Sequence, residues 1–319
     1  MRVLASLLLA ALAASGCARV PAISDHLPEK APVSVELTGV PFFPQERYQC
    51  GPAALATVLT WSGEPVTAEA LVPRVYLPAR EGSLQPELRA TARAHDRLAY
   101  EPEPRLRALL AELDDGHPVL VLQNLGLGRW PVWHYAVVIG YDADAGQFIL
   151  RSGTTEREVL STRRFLTTWV RADAWAMVVL PPGQLPASAD VERYVRAAAD
   201  LERTGSAEAA AKAWHAATER WPDLPAAWFG LANTRHATGD TAAAVTAWRE
   251  ALLLDPGHVP AHHNLARAYL GAGCPEHAMR HVRLGHEHLD RLPGMRAPLA
   301  RIEAEVLAAS DNDANCAFN

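Results

Sequence analysis

The sequence predicts an α+β domain followed by an all-α domain of stacked helix pairs. Three observations predict it. Across residues 38–182, helical periodicity comes first and short, nearly continuous apolar runs come afterwards, the order expected of an α+β unit. Beyond Pro181-Pro182-Gly183 the composition turns to alanine-rich helix. Within that second region several residues recur at a single offset of 34 positions, the mark of a repeated helix pair.

In the first region, residues 52–62 read as a helix, with Leu55, Val58 and Leu59 on one face and Gly63 as a stop. Residues 84–95 read as a second helix. Residues 105–115 read as a third, with Leu106, Leu109, Leu110 and Leu113 in helical spacing. The period then changes. Residues 118–124, 135–141, 147–151 and 175–180 each read as a buried strand, the third following an Asp-Ala-Asp-Ala-Gly turn. An antiparallel sheet packed on the first helix is the expected arrangement. In the second region Trp214 recurs as Trp248, and Gly205 recurs as Gly239 and Gly273. Two full repeats and a divergent third cover 190–292, with a C-terminal helix and tail over 293–319. Trp214, Trp228 and Trp248 are expected to fill the repeat cores, with a place for one of them lining the concave groove as the alternative.

A chain of 319 residues is long enough for two domains, each with its own core. An apolar content of 49% with 21% charged residues marks it as globular. The formal charge of −6 and the absence of a basic run argue against a nucleic-acid partner. Arg2 is followed by an apolar run over 3–14 and then Ser15-Gly16-Cys17. That run is shorter than the roughly 20 residues a membrane-spanning helix needs and fits a secretory signal. Small residues before a cysteine resemble a bacterial lipobox, so residues 1–17 are expected to be a signal ending at a lipidated Cys17. An ordinary signal peptide cut nearby is the alternative. Ala18, rather than aspartate, then favours the outer membrane, on its periplasmic face, over the inner membrane or the soluble periplasm. Residues 18–37, with Pro21, Pro28 and Pro32, read as a tether. With Cys17 lipidated and Cys50 catalytic, Cys274 and Cys316 are the pair left for a disulfide. Two unpaired thiols are the other reading, and the sequence leaves the choice open.

The chemistry centres on Gln45 and, five residues later, Cys50-Gly-Pro-Ala-Ala-Leu55. Gly51 permits close backbone approach and Pro52 suits a first helical turn, so Cys50 is placed at a helix N-terminus. Unpaired N–H groups and the helix dipole there favour a thiolate, and a neighbouring imidazole would complete an activated nucleophile. A buried structural cysteine is the ordinary alternative. His134 opens the apolar strand His134-Tyr-Ala-Val-Val-Ile-Gly-Tyr141 and is the candidate base, then acid. His95 lies in a charged helix and His117 in a turn, and neither looks held by a core. The Gln45 amide, with the Cys50 backbone N–H, is the candidate oxyanion donor. For the group that orients the imidazole, Ser152 on the next strand ranks first. Asp142, Asp144 and Asn124 remain open.

These motifs resemble the family-39 cysteine peptidases, the bacteriocin-processing domains of ABC exporters and their free-standing relatives. The resemblance covers about 38–182 and implies a papain-like fold, cleavage of peptide bonds, and no metal or cofactor. It carries Cys50 as nucleophile, His134 as base and Gln45 as oxyanion donor. The chain differs from exporter domains in three ways. Their glutamine lies six residues before the cysteine, and an acidic residue often stands where Gln49 is. Their Asp-Pro is replaced by Ser152-Gly153. A repeat domain, not an ATP-binding half, follows. The period of 34 resembles tetratricopeptide repeats, which form a concave protein-binding surface. His277 and His281 are four apart, a metal-ligand spacing, but no further ligand pattern completes a site. The loop over 126–131 precedes His134 and reads either as a cover for the cleft or as a plain inter-strand loop.

The expectation is therefore an α+β papain-like cysteine peptidase domain followed by an all-α tetratricopeptide-repeat solenoid. It would be exported and lipid-anchored, touching the membrane through the anchor only, with repeats that recruit a protein partner or substrate. The alternatives are an inactive scaffold of the same fold, and an amide hydrolase or acyltransferase acting on cell-wall material.

Overall fold

The computed structural model describes residues 22–45, 49–309 and 316. Cys17 and the expected signal segment lie outside the described residues. In chain order the first part contains β1 (Ser34–Glu36), α1 (Cys50–Trp61), α2 (Ala68–Val75), α3 (Gln85–Ala94), β2 (Leu98–Tyr100) and α4 (Leu106–Asp114). These are followed by β3 (Val119–Asn124), β4 (Trp133–Asp142), β5 (Gln147–Ser152), β6 (Thr155–Ser161), α5 (Thr162–Val170) and β7 (Ala176–Leu180). The strands form one seven-stranded sheet in the order β2-β7-β3-β4-β5-β6, with β1 added on the distal half of β4. Every pairing is antiparallel.

Strand alternation divides the domain into two cores. Leu120, Leu122, Tyr135, Val137, Ile149 and Val179 face α1, whose Leu55, Val58 and Leu59 are fully buried. Val119, Val121, Ala136, Val138 and Leu150 face the other way, onto Leu109, Leu113, Phe165 and Trp169 of α4 and α5. The sequence reading expects helix cover from α1 alone. It misses α5 because Thr162-Arg-Arg-Phe-Leu-Thr-Thr-Trp buries only Phe165 and Trp169 of its apolar residues, with Leu166 partly covered, in a short and otherwise polar run. It misses β6 because Thr-Glu-Arg-Glu at its start is polar on both faces, as an edge strand can be.

The second part is a run of antiparallel helices: α6 (Val191–Thr204), α7 (Ala207–Arg220), α8 (Pro225–Ala237), α9 (Thr241–Leu254), α10 (Val259–Gly271), α11 (Pro275–Glu287) and α12 (Arg296–Ala308). Asp190, Ser206 and Asp240 cap α6, α7 and α9, each side chain accepting from a backbone N–H three residues on. Trp214 and Trp248 are buried, whereas Trp228 is half-exposed and donates to the Pro222 carbonyl. Gly230 lies flat on the Trp214 indole, where a Cβ would come within 2.3 Å of the ring. Cys274 and Cys316 are joined by a disulfide, which closes the question the sequence left open.

The two parts meet over a single continuous core. Helix α6 packs on α3 and β2, with Arg93 Nη1 3.2 Å from Asp200 and Arg93 Nε donating to Thr204. The connecting segment 184–190 is held by Glu112, which is fully buried. Its carboxylate accepts from Ala187 N (3.2 Å), Ser188 N (2.8 Å), Ser188 Oγ (2.5 Å) and His117 Nδ1 (2.7 Å). His117 Nε2 then accepts from the Gln184 amide at 2.7 Å. His117, which the sequence places in a turn unheld by any core, is thus 1% exposed and works as a structural clasp. Glu112→Ala would strand these donors in a dry interior. The expected cost is about 3 kcal/mol in a denaturant titration, with loss of amide-exchange protection concentrated in 184–190. Glu112→Gln, which keeps an acceptor, should cost less.

Candidate active site

The N-terminus of α1 is built to lie against the sheet. Gly51, Ala53, Ala54 and Ala56 are all buried, and a Cβ on Gly51 would meet Ser83 Oγ at 2.3 Å. Small residues let the first turn approach β4 and β5, and Cys50 is the residue that turn presents. Pro52 has no N–H, so the donors free at this helix start are those of Cys50 and Gly51. Both lie where they favour a thiolate, as does the backbone N–H of Tyr135 on β4.

Gln45, Cys50, Tyr135, Arg151 and Ser152 line one small cavity, with Phe42 and Phe43 at its side. It leaves only about 10 Å³ open to a water centre, room for roughly one molecule. His134, next to Tyr135, is held by Ser152, with Nε2 2.9 Å from Oγ. When Oγ accepts from Nε2–H, Nδ1 keeps the lone pair that a base needs. Among the described residues no hydrogen bond joins the Cys50 thiol to the His134 ring. Of the other three orienting candidates, two are engaged elsewhere and one is exposed. Asn124 Oδ1 accepts from Gly126 N and Val132 N, both at 3.0 Å, and shapes the β3–β4 loop. Asp142 accepts from Ala145 N in its turn, and Asp144 is exposed.

Two residues of this site escaped sequence reasoning. Arg151 reaches back to the loop that carries Gln45, donating to Val40 O at 3.2 and 2.9 Å and to Thr38 O at 3.3 Å. The Gln45 backbone N–H donates to Gly153 O at 3.1 Å. The end of β5 therefore fixes the Gln45 loop through Arg151 and Gly153 and the imidazole through Ser152. The signal was available: Arg151 has the same strand parity as Ile149, a core position where an arginine needs a reason. Tyr135 was read as one more apolar residue of its strand.

Burial sets the protonation states. It pushes the Cys50 thiol above its ordinary range, and the N–H groups of Tyr135, Gly51 and Cys50 offset this only in part. It pulls His134 below the usual imidazole range, with the Glu158 carboxylate opposing. Both groups are therefore neutral near pH 7, whereas the helix N-terminus alone suggests a thiolate. A helix dipole contributes about 0.3–2 kcal/mol, and desolvating a thiolate costs more.

Two outcomes follow. Iodoacetamide should alkylate Cys50 more slowly than free cysteine at pH 7.5, with the rate climbing through and beyond pH 9. A rate already at its plateau near pH 6–7 would instead mark a thiolate–imidazolium pair. Arg151→Gln should raise amide exchange across residues 38–45 and leave that of β3 unchanged.

Residues 37–174 match the model of the Peptidase_C39 like family, and residues 225–268 match a tetratricopeptide repeat model. No curated protein matches the chain. Among solved structures, a C39-like peptidase-type protein from Bacillus anthracis is 19% identical and aligns over 46% of this chain and 97% of its own, with a TM-score of 0.39. The type III secretion translocator chaperone SycD of Yersinia enterocolitica is also 19% identical, over 37% of this chain and 82% of its own, with a TM-score of 0.35. A MamA structure is 20% identical over 32% of this chain and 60% of its own, with a TM-score of 0.30. The chain joins a Peptidase_C39-like domain to a domain of tetratricopeptide repeats.

Proposed function

We propose that this protein is a cysteine peptidase in which Cys50 is the nucleophile and His134 the base. The observation that carries the reading is the convergence of Gln45, Cys50 and Ser152 on one cavity, with His134 hydrogen bonded to Ser152. Because thiol and imidazole both start neutral, Sγ must lose its proton to His134 Nδ1 as it attacks the scissile carbonyl. The Cys50 backbone N–H and the Gln45 amide stabilise the oxyanion. The tetrahedral intermediate collapses with expulsion of the amine, which takes the proton from His134. Water, deprotonated by the same ring, then hydrolyses the thioester and frees Cys50. The repeats supply a surface for a protein partner or the substrate. Export and a lipid anchor on Cys17 complete the proposal, with the outer membrane as the destination.

An inactive scaffold is the second reading. It is favoured by the neutral pair, by the missing thiol–imidazole hydrogen bond, and by a serine where a carboxylate would hold an imidazolium more firmly.

Hydrolysis of a fluorogenic peptide library by the full chain separates the two. Cys50→Ala should abolish turnover, and His134→Ala should lower it at least about a hundredfold. Gln45→Ala should cost roughly a hundredfold in kcat. Turnover should rise with pH through the lowered His134 pKa and level off near neutrality. Ser152→Asp raises that pKa, so the acid limb should move to higher pH. Failure of the whole library, with cell-wall fragments cut instead, would reassign the chemistry. Failure on both would leave the scaffold. Mass spectrometry of the mature N-terminus tests the anchor, and an unmodified Cys17 would refute it.

A further inference from the structure

The cavity over Cys50 is too small to enclose a substrate side chain. Binding energy for an acyl donor must therefore come from the rim. The rim is apolar to an unusual degree. Of the thirteen large apolar side chains that are exposed among the described residues, five lie between 125 and 133: Leu125, Leu127, Trp130, Val132 and Trp133. Trp130 is 71% exposed and Trp133 53%. Soluble proteins rarely leave such a patch without a use.

This loop is also locked. Buried Asn124 accepts from Gly126 N and Val132 N, Leu127 and Trp130 exchange backbone hydrogen bonds, and Arg171 Nη1 donates to Gly126 O at 2.8 Å. A Cβ on Gly126 would sit 2.3 Å from the Trp130 carbonyl, so the turn is tight enough to require glycine. The backbone that carries the exposed rings of Trp130 and Trp133 is thus fixed, a preorganisation that recognition surfaces use.

The patch runs into the site. Trp133 and Tyr135 are two apart on β4 and share one face of the sheet. Tyr135 lines the Cys50 cavity and packs edge-on against Trp175, with ring centroids 5.8 Å apart. An aromatic strip therefore leads from the thiol outward to Trp133, and the loop carries it on to Trp130.

We infer that the β3–β4 loop is a substrate-binding lip, with Trp130 and Trp133 receiving an apolar side chain of a peptide next to its scissile bond. This rests on the peptidase reading for the identity of the occupant. Continuity with the catalytic strand favours a peptide over a lipid surface.

The test uses the full chain with Cys50→Ala, which binds without turnover. Extended eight-residue peptides carrying leucine or phenylalanine near the centre are compared with serine-substituted controls, and tryptophan emission is read. The apolar peptides should shift emission to the blue and bind at least tenfold more tightly than the controls. Adding Trp130→Ala and Trp133→Ala should erase that difference while circular dichroism and the thermal midpoint hold. Trp130→Phe should retain it. Equal affinity for both peptide sets, or discrimination that survives loss of both tryptophans, would overturn the lip. So would a blue shift with phosphatidylglycerol–phosphatidylcholine vesicles and none with peptides. If apolar peptides bind but the unmodified protein cuts none of them, the lip stands and the peptidase reading falls. If peptides are cut without apolar preference, the reverse holds.

Discussion

Everything in the candidate active site depends on one close approach, that of the first turn of α1 to the ends of β4 and β5. Gly51 lets the turn sit directly against Ser83 and Val75, Ala53 and Ala54 share one core with the sheet, and the thiol at the turn meets the backbone of Tyr135. The same approach closes the cavity and brings Ser152 and Gln45 to its wall. A larger residue at Gly51 would collide with Ser83, so the turn or Ser83 would have to give way.

That approach has an electrostatic cost. Excluding water around Cys50 penalises the thiolate more than nearby N–H groups reward it, and the same exclusion keeps His134 neutral. The resting state is then a thiol and an imidazole, and charge would appear only as attack proceeds. A serine hydroxyl suits that state, since it orients a neutral ring without having to balance a cation. Ser152 and the depth of the site are in this sense one arrangement.

Much of this was legible in the sequence, for identifiable reasons. Cys50-Gly-Pro marks a helix start by its own chemistry, and His134 announces itself by opening an apolar run. The two-domain division follows from a change of period, which needs no tertiary knowledge. What could not be read depends on side chains reaching across the fold. Arg151 shares strand parity with the buried Ile149, but what it does there is hidden until its partners, the carbonyls of Thr38 and Val40, are folded back beside it. Ser152 ranks first in the sequence, but Asn124, Asp142 and Asp144 stay open until the fold shows which residue meets the imidazole. His117 has a turn-like neighbourhood in sequence, and only the return of Gln184 and Ser188 against Glu112 buries it.

The clasp at Glu112 gives the molecule a property that neither half has alone. Segment 184–190 resembles a linker by composition, yet the backbone N–H groups of Ala187 and Ser188 are spent on a buried carboxylate and the core continues past it. The sheet and the repeats thus share one core. A partner that binds only the folded repeats would add RT ln(1 + [L]/Kd) to the stability of whatever unfolds with them, and the shared core extends that to the sheet. At a concentration a hundred times its Kd, such a partner would contribute about 2.7 kcal/mol to the persistence of a site it never touches.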